Sequence, residues 1–458
     1  MKKDRLKGLL LIIFLAVAQV SARAGTGLPH LELTDTHLEN GLRVIIAPDH
    51  SAPVFAIAVT YNVGSRNEHP GRTGFAHLFE HMMFQGSENV GKGEHFILVL
   101  NNGGGMNGTT NEDRTSYFQE LPKNQLDLVL FLESDRMRSL AVNQINLDNQ
   151  RRTVQEERRL GIDNQPYGKS LLEVDNLGYD NFAYKHSVIG SMADLEAATL
   201  EDVKEFFRIY YAPNNAVLTL VGDLEAAVAL EKVKKYFGSI PSQSKPSTVD
   251  LTEPGRIGER RTTIFDPLAR LPQVILAYQI PPGNSPDNYA LHLLADVLGT
   301  GQSSRLYQRL IKEKQLATSV RVQAEARIGP SSLYVMAMPR PGVKLEDLEK
   351  TVYEEIEAVQ QNGLTEKELE KARAQERRGL IQSRQSSLTT AIRLGEYAVK
   401  FNDPDLVNTI IDKFAAVTAA QVQQAAVKYL TATSRTVVTT LPKAKADAPA
   451  PANRGGAQ

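Results

Sequence analysis

The sequence predicts an α+β protein of two homologous domains, each an antiparallel-rich sheet with helices packed on it. Three observations predict it. The stretch Gly238 to Arg261 (GSIPSQSKPSTVDLTEPGRIGERR) is rich in Pro, Ser and charge, has no helical or strand period, and divides the chain as a linker. Segments on either side of it repeat: Thr199–Leu220 reads helix, turn, strand, and Thr418–Thr439 reads the same, with Val203 against Val422 and Tyr210 against Tyr429. Near the start of each half a β-rich run, Val54–Val63 and Gln273–Ile280, leads into an amphipathic helix that ends in a Gly-containing turn. Two matches in the same order imply an internal duplication of about 215 residues.

Taken in order, the chain opens with Lys2, Lys3, Arg5 and Lys7 before the uncharged run Gly8–Val20, and Ala22-Arg23-Ala24 has the small-x-small form of a cleavage site. At about 13 residues the run falls short of the roughly 20 that span a bilayer. Residues 1–24 are therefore expected to be a signal peptide cut after Ala24, with Ala22 the competing site. The mature chain is expected to be exported, to a bacterial periplasm, without a membrane span. Residues 25–238 then form the first domain, 239–261 the linker and 262–442 the second domain. Long helical stretches alternate with strands in both. One of them, Thr365–Gln385, opens on a capping box in which Thr365 faces Glu368. Lys443 to Gln458 (KAKADAPAPANRGGAQ) is a polar Pro/Ala/Gly tail, expected to be disordered.

Composition removes whole classes of function. With 458 residues, 42% hydrophobic and 23% charged, the chain is long and apolar enough for sizeable cores. Lys and Arg number 52 against 53 Asp and Glu, so there is no basic excess for nucleic acid. Loss of the leader takes the formal charge from −1 to about −5. The chain has no Cys, which excludes disulfides, thiolate metal sites and cysteine nucleophiles. Any metal must be held by His and carboxylate.

Residues 73–86 read TGFAHLFEHMMFQG, and His77-Leu78-Phe79-Glu80-His81 has the form H-x-x-E-H. On a helix, positions i and i+4 lie about 40° apart, so His77 and His81 can face one metal ion. Glu80 sits about 60° to the other side of His77, from where it reaches a metal-bound water without coordinating the metal. This is the reversed zinc motif of the inverzincins. The bland alternative is an exposed helix face with two unrelated histidines. Phe75, Leu78, Phe79, Met82 and Met83 argue against it, because they make the helix largely buried, where two His and a Glu need a partner. A tetrahedral zinc needs one more protein ligand besides two imidazoles and a water. That ligand is a carboxylate or another His, and spacing alone does not choose it. The adjacent Glu156 and Glu157 of QRRTVQEERR are candidates that read equally well as a solvated charged face.

The H-x-x-E-H helix follows a strand ending in Asn62-Val63-Gly64-Ser65. With the segment Gly104–Tyr117 (GGMNGTTNEDRTSY), the downstream Glu and the duplicated halves, it resembles the pitrilysin/insulinase metallopeptidases, in particular their bacterial, mitochondrial-processing-peptidase-like branch. The resemblance implies a clam-shell half of a peptidase chamber that admits short or unfolded peptides. It implies one zinc per chain, held by His77, His81 and Glu157, the last lying 76 residues beyond His81, with Glu80 activating the bound water. It places peptide substrate on an edge strand at Asn107 and Gly108. It also implies an orienting Glu seven residues before the third ligand, where this chain has Gln150.

The second half departs from the pattern. Setting Gly301 against Gly86 puts His292 opposite His77, Ala295 opposite Glu80 and Asp296 opposite His81, which leaves no base. Self-sufficient relatives carry an Arg and a Tyr spaced R-x6-Y; here those positions are Ile311 and Thr318. Arg305 and Tyr307, in SSRLY, resemble a different, structural segment. The resemblance therefore implies a zinc-bearing subunit that pairs with a homologue supplying the Arg and Tyr. Other classes are a non-catalytic scaffold-like member and a periplasmic zinc-binding protein without turnover. The intact H-x-x-E-H set speaks against the first and the positioned Glu80 against the second.

Overall fold

The computed structural model describes residues 29–443. The expected leader, and the expected tail apart from Lys443, lie outside the described residues. The first half begins β1 (Thr34–His37), β2 (Arg43–Pro48), β3 (Val54–Tyr61), α1 (Phe75–Met82), α2 (Glu94–Asn101), β4 (Gly105–Thr110) and β5 (Thr115–Pro122). It continues α3 (Leu126–Ser139), α4 (Gln144–Arg158), α5 (Gly168–Gly178), α6 (Phe182–Lys185), α7 (Met192–Ala197), α8 (Leu200–Tyr210), β6 (Ala216–Gly222) and α9 (Ala226–Phe237). The second half runs β7 (Arg260–Asp266), β8 (Gln273–Ile280), α10 (Pro286–Gly299), β9 (Ala317–Ala324) and β10 (Ser331–Pro339). Then come α11 (Leu345–Asn362), α12 (Glu366–Arg384), α13 (Ser387–Phe401), α14 (Leu406–Ala416), α15 (Ala419–Tyr429) and β11 (Arg435–Pro442).

The strands form two sheets, β1-β2-β6-β3-β5-β4 and β7-β11-β8-β10-β9. Apart from β1 the two orders correspond strand for strand. One parallel pair recurs in each, β2 with β6 and β7 with β11, and the remaining pairs are antiparallel. The duplication is equally visible in the helices. Both α8 and α15 start on capping boxes, Thr199 with Asp202 and Thr418 with Gln421, and both bury the matched valines, Val203 and Val422. Gly86 and Gly301, the turn glycines set against each other in the sequence, share a left-handed backbone at φ 96° and 78°. The capping box of Thr365 with Glu368 opens α12 as its spacing predicts.

Why the central strands are apolar on both faces follows from what covers them. In β3 the alternation of strand side chains sends Phe55, Ile57, Val59 and Tyr61 to one face, where they belong to the same core as Phe75, Leu78, Phe79 and Met82 of α1. The other face carries the small Ala56 and Ala58, which pack on Ala391, Leu394 and Ala398 of α13. There the helix comes so close that a Cβ on Gly395 would stand 2.4 Å from Thr60 Oγ1. Thus a helix of the second half covers the first sheet. The exchange is reciprocal: Val174 of α5, from the first half, packs on Ile275, Ala277, Tyr334 and Val438 of the second sheet. Each half lends one helix to the other, so the two sheets are held in one body.

The expected linker is anchored. Glu253 accepts the Asp180 and Asn181 N–H groups, both at 3.0 Å. Its last two residues, Arg260 and Arg261, belong to β7 instead. Their charge does not oppose the strand, because Arg260 pairs with Asp180 and Arg261 with Glu349. No helix of the described residues is long and apolar enough to cross a membrane.

Candidate metal centre

The site is built on α1. Its first turn starts from Gly74 at φ 87°, where a Cβ would stand 2.7 Å from the Ile189 carbonyl oxygen. The free N–H groups of Gly74 and Ala76 donate to the buried Glu68 carboxylate, each at 2.8 Å, and His186 Nε2 lies 3.0 Å from the same group. A carboxylate at a helix N-terminus answers both the orphan donors and the dipole. Burial pushes the Glu68 carboxyl up, against the pull of His186 and the two amides. Leu78, Phe79 and Met82 anchor the opposite flank of the helix in the core. His77, Glu80 and His81 are left on the flank that faces α4 and β4.

The two imidazole rings lie edge to face with centroids 4.9 Å apart. His77 Nε2 stands 3.7 Å from one Glu157 oxygen, and His81 Nε2 stands 3.2 Å from the other. Among the described residues this is the group of three His or carboxylate side chains whose ligand atoms converge, all within 4.8 Å of one another. Donors held about 2.0–2.1 Å from a tetrahedral zinc stand roughly 3.3 Å apart, so this set, spread over no more than 4.8 Å, holds the ion once its side chains draw together by about 1 Å. Burial, then the neighbouring His81, push the His77 imidazole down to about 4, which keeps it neutral and able to coordinate. Glu156, the other candidate, turns away and pairs with Arg159 at 3.1 Å.

Glu80 stands outside the converging group. Burial pushes its carboxyl up, opposed by the Thr110 hydroxyl, which donates to Oε2 at 2.6 Å. Thr110 ends β4, the edge strand of the first sheet. On the same strand Asn107 is exposed, and Gly108 is buried against Glu80: a Cβ there would stand 3.0 Å from Glu80 Cγ and 3.3 Å from Oε1. The strand thus brings Gly108 and Thr110 alongside the carboxylate, while the Asn107 side chain, one residue out of step, accepts the Gly108 N–H. Gln150 is buried on α4, two turns before Glu157, with no hydrogen bond to either imidazole, and His77 Nδ1 is buried without a partner among the described residues. Glu68 and Thr110 had no signal in the sequence. Thr110 finds Glu80 only through the register of β4 on β5.

Comparison with known proteins bears on this arrangement. Residues 43–178 match insulinase (peptidase family M16), and residues 197–376 match the peptidase M16 inactive domain. The zinc protease PqqE of Helicobacter pylori is 31% identical over 437 residues, which are 95% of this chain and 98% of that protein. The chain belongs to the insulinase family, M16. Its fold is that of an M16 peptidase: it superposes on the crystal structure of a protease from Helicobacter pylori with a TM-score of 0.86 at 31% identity, over 90% of this chain and 100% of that one. The periplasmic protease PqqL of Escherichia coli shares the fold at 18% identity and a TM-score of 0.74; the match takes in 91% of the M16 chain here but 48% of PqqL.

The second half of this M16 chain keeps the scaffold of the site without its chemistry. On α10, His292 is half-buried and desolvation pushes it down to about 4, Ala295 offers no carboxylate, and Asp296 accepts from Thr300 Oγ1 at 2.7 Å. Ile311 lies in the helical turn Tyr307–Glu313, and Thr318 lies in β9, donating to the Met338 carbonyl. Arg305 is a strut: it grips Glu368 at 2.6 and 2.8 Å beside the start of α12.

Asp296 also meets Glu376 of α12, and burial and then Asp296 push the Glu376 carboxyl up to about 7. A carboxyl raised on folding holds its proton more tightly in the folded chain. The stability it contributes is present below its unfolded value of 4.5 and is lost as pH rises through about 7. Glu376→Gln is therefore expected to be more stable than wild type at about pH 8, by on the order of 1–2 kcal/mol, and nearly equal to it at about pH 4.5. Urea unfolding of both proteins across that range measures it. A difference independent of pH would remove the pair as the cause.

Proposed function

We propose that this M16 chain is a zinc-dependent endopeptidase of short or unfolded peptides, with one zinc per chain held by His77, His81 and Glu157 and with Glu80 as the general base. The observation that carries the reading is the convergence of two imidazole nitrogens on one carboxylate while a separate carboxylate, Glu80, is held beside them by Thr110. Zinc at this set supplies Lewis acidity, polarising the scissile carbonyl and bringing the pKa of water towards about 7. Glu80 takes the proton of the attacking water and delivers it to the leaving amine. The peptide adds as a strand to the free edge of β4, its main chain fixed by that edge and its scissile bond beside Asn107 and Gly108.

A homologous partner completes the chamber in this reading, supplying the Arg and Tyr that Ile311 and Thr318 do not. In support, the chain matches in fold about half of the longer PqqL. The leader at residues 1–24 is proposed to direct export to the periplasm with cleavage after Ala24, in keeping with the compartment of PqqL. The test is hydrolysis of a quenched fluorescent peptide by the purified chain, alone and with a co-expressed homologue bearing R-x6-Y. Chelator-sensitive hydrolysis that zinc restores, and that the partner raises by about a hundredfold or more, is expected. Equal rates with and without the partner would overturn the pairing. No chelator-sensitive hydrolysis in either would overturn the peptidase reading.

A further inference from the structure

β4 is an edge strand with two glycines, Gly105 and Gly108, and it is hydrogen-bonded to β5 alone. Strands of this kind open locally before the rest of a sheet does. Yet β4 holds Thr110 on Glu80, so something else must fix it. The turn that joins it to β5, Asn111 to Arg114, is the point of attachment. From below, Ser65 and Arg66 N–H donate to the Asn111 and Glu112 carbonyls at 3.2 and 3.0 Å, within the first half.

The Arg66 guanidinium adds a further hold from the first half, on the Asp113 carbonyl and, at 3.1 Å, on Asp113 Oδ1; the attachments that remain involve the second half. Ile328 N–H donates to Asp113 Oδ2 at 2.8 Å, and Lys400 Nζ of α13 stands 3.8 Å from the same oxygen. Tyr184 joins the two: its hydroxyl donates to Asp113 Oδ1 at 2.8 Å and accepts Gly329 N–H at 3.0 Å. Arg327, 4% exposed, lies between the Tyr179 and Tyr184 rings and reaches Glu112 at 3.4 Å, besides Asp175 and Glu325. Arg114 holds the Thr109 carbonyl of β4 at 2.8 Å, with Glu396 of α13 behind it at 4.0 Å. Asp113 is 1% exposed, so its charge is tolerated only while these donors stay in place.

We propose that the second half is a positioning element for the site in the first, clamping the Asn111–Arg114 turn through Asp113 so that β4 keeps Thr110 on Glu80 and Asn107 on the open edge. Its catalytic consequence rests on the peptidase reading above; the clamp itself does not. Asp113 and Arg327 are thereby positioning residues, and the half without a metal group acquires a task in the reaction.

The test uses the full chain and compares Asp113→Ala with Asp113→Asn, whose amide oxygen still accepts the Ile328 N–H. Amide hydrogen exchange in Gly105–Thr110 is expected to accelerate about tenfold or more in Asp113→Ala, with β3 and β6 unchanged, and Asp113→Asn, whose NH2 replaces the oxygen that accepts from Arg66 and Tyr184, is expected to recover part of the protection. The same loosening is expected to lower kcat about tenfold with bound zinc retained. Unchanged exchange in β4, or equal acceleration in both sheets, would overturn the clamp. Should Asp113→Ala not fold, Glu396→Gln, which removes the carboxylate behind Arg114 and beside Lys400, decides through the same exchange, with an expected rise of about twofold to threefold in β4 alone. Faster exchange in β4 beside a wild-type chain that cleaves nothing would uphold the clamp and end the peptidase reading.

Discussion

Glu80→Gln is expected to lower kcat by about a hundredfold or more while bound zinc stays at the wild-type level. General-base catalysis of this kind contributes about 10²–10⁴-fold, and an amide cannot take the proton. The substitution is conservative in every other respect. The Thr110 hydroxyl, now donating to Glu80 at 2.6 Å, keeps an acceptor in the amide oxygen, and the close fit against Gly108 is unchanged in volume. Glu80 is not among the converging ligand atoms, so metal affinity has no reason to fall. Peptide turnover and metal content measured on one preparation separate the two properties. A Glu80→Gln chain cleaving at the wild-type rate would remove Glu80 as the base.

Glu157→Ala is expected to lose the zinc, with Glu156→Ala retaining it. Both residues lie in the last turn of α4, but neighbours on a helix point about 100° apart. Glu157 directs its two oxygens at the two imidazoles, 3.7 and 3.2 Å away, whereas Glu156 is spent on Arg159. Without Glu157, zinc keeps two neutral ligands and loses the one that balances its charge. The affinity should then fall by more than the roughly 10–100-fold that follows loss of a group merely supporting a ligand. Metal content after dialysis reads the difference. So does thermal unfolding, since a ligand that binds only the folded chain raises the transition, and Glu157→Ala should no longer respond to added zinc. Full zinc occupancy in Glu157→Ala would assign the third ligand elsewhere.

The two sets of residues differ in how far apart they are along the chain. His77, Glu80 and His81 were readable because five residues and the period of a helix place them. The duplication was readable because both copies kept the same local signals, such as Thr199 with Asp202 and Thr418 with Gln421. Glu157 was not separable from Glu156 by any property of its own segment, and a family resemblance had to choose between them. The helix exchange was hidden for a different reason. Ala56 and Ala58 announce that something packs closely on that face of β3, but nothing in the strand says that it is Ala391 and Leu394 of the other half. Arg260 and Arg261 read as linker because their charge, taken alone, opposes a strand. Asp180 and Glu349, which offset it, lie 80 and 88 residues away.

By itself, then, the sequence determined the chemistry available: no thiol, two histidines and a glutamate on one helical face, in a duplicated α+β chain that kept the motif once. The tertiary structure decided which carboxylate meets those histidines, what holds Glu80 and what steadies the strand beside it. The contact of Thr110 with Glu80 spans 30 residues and that of Ile328 with Asp113 spans 215. A helical period fixes directions only over a few turns, whereas contacts of that span are set by sheet register and helix packing, which exist only once the chain has folded.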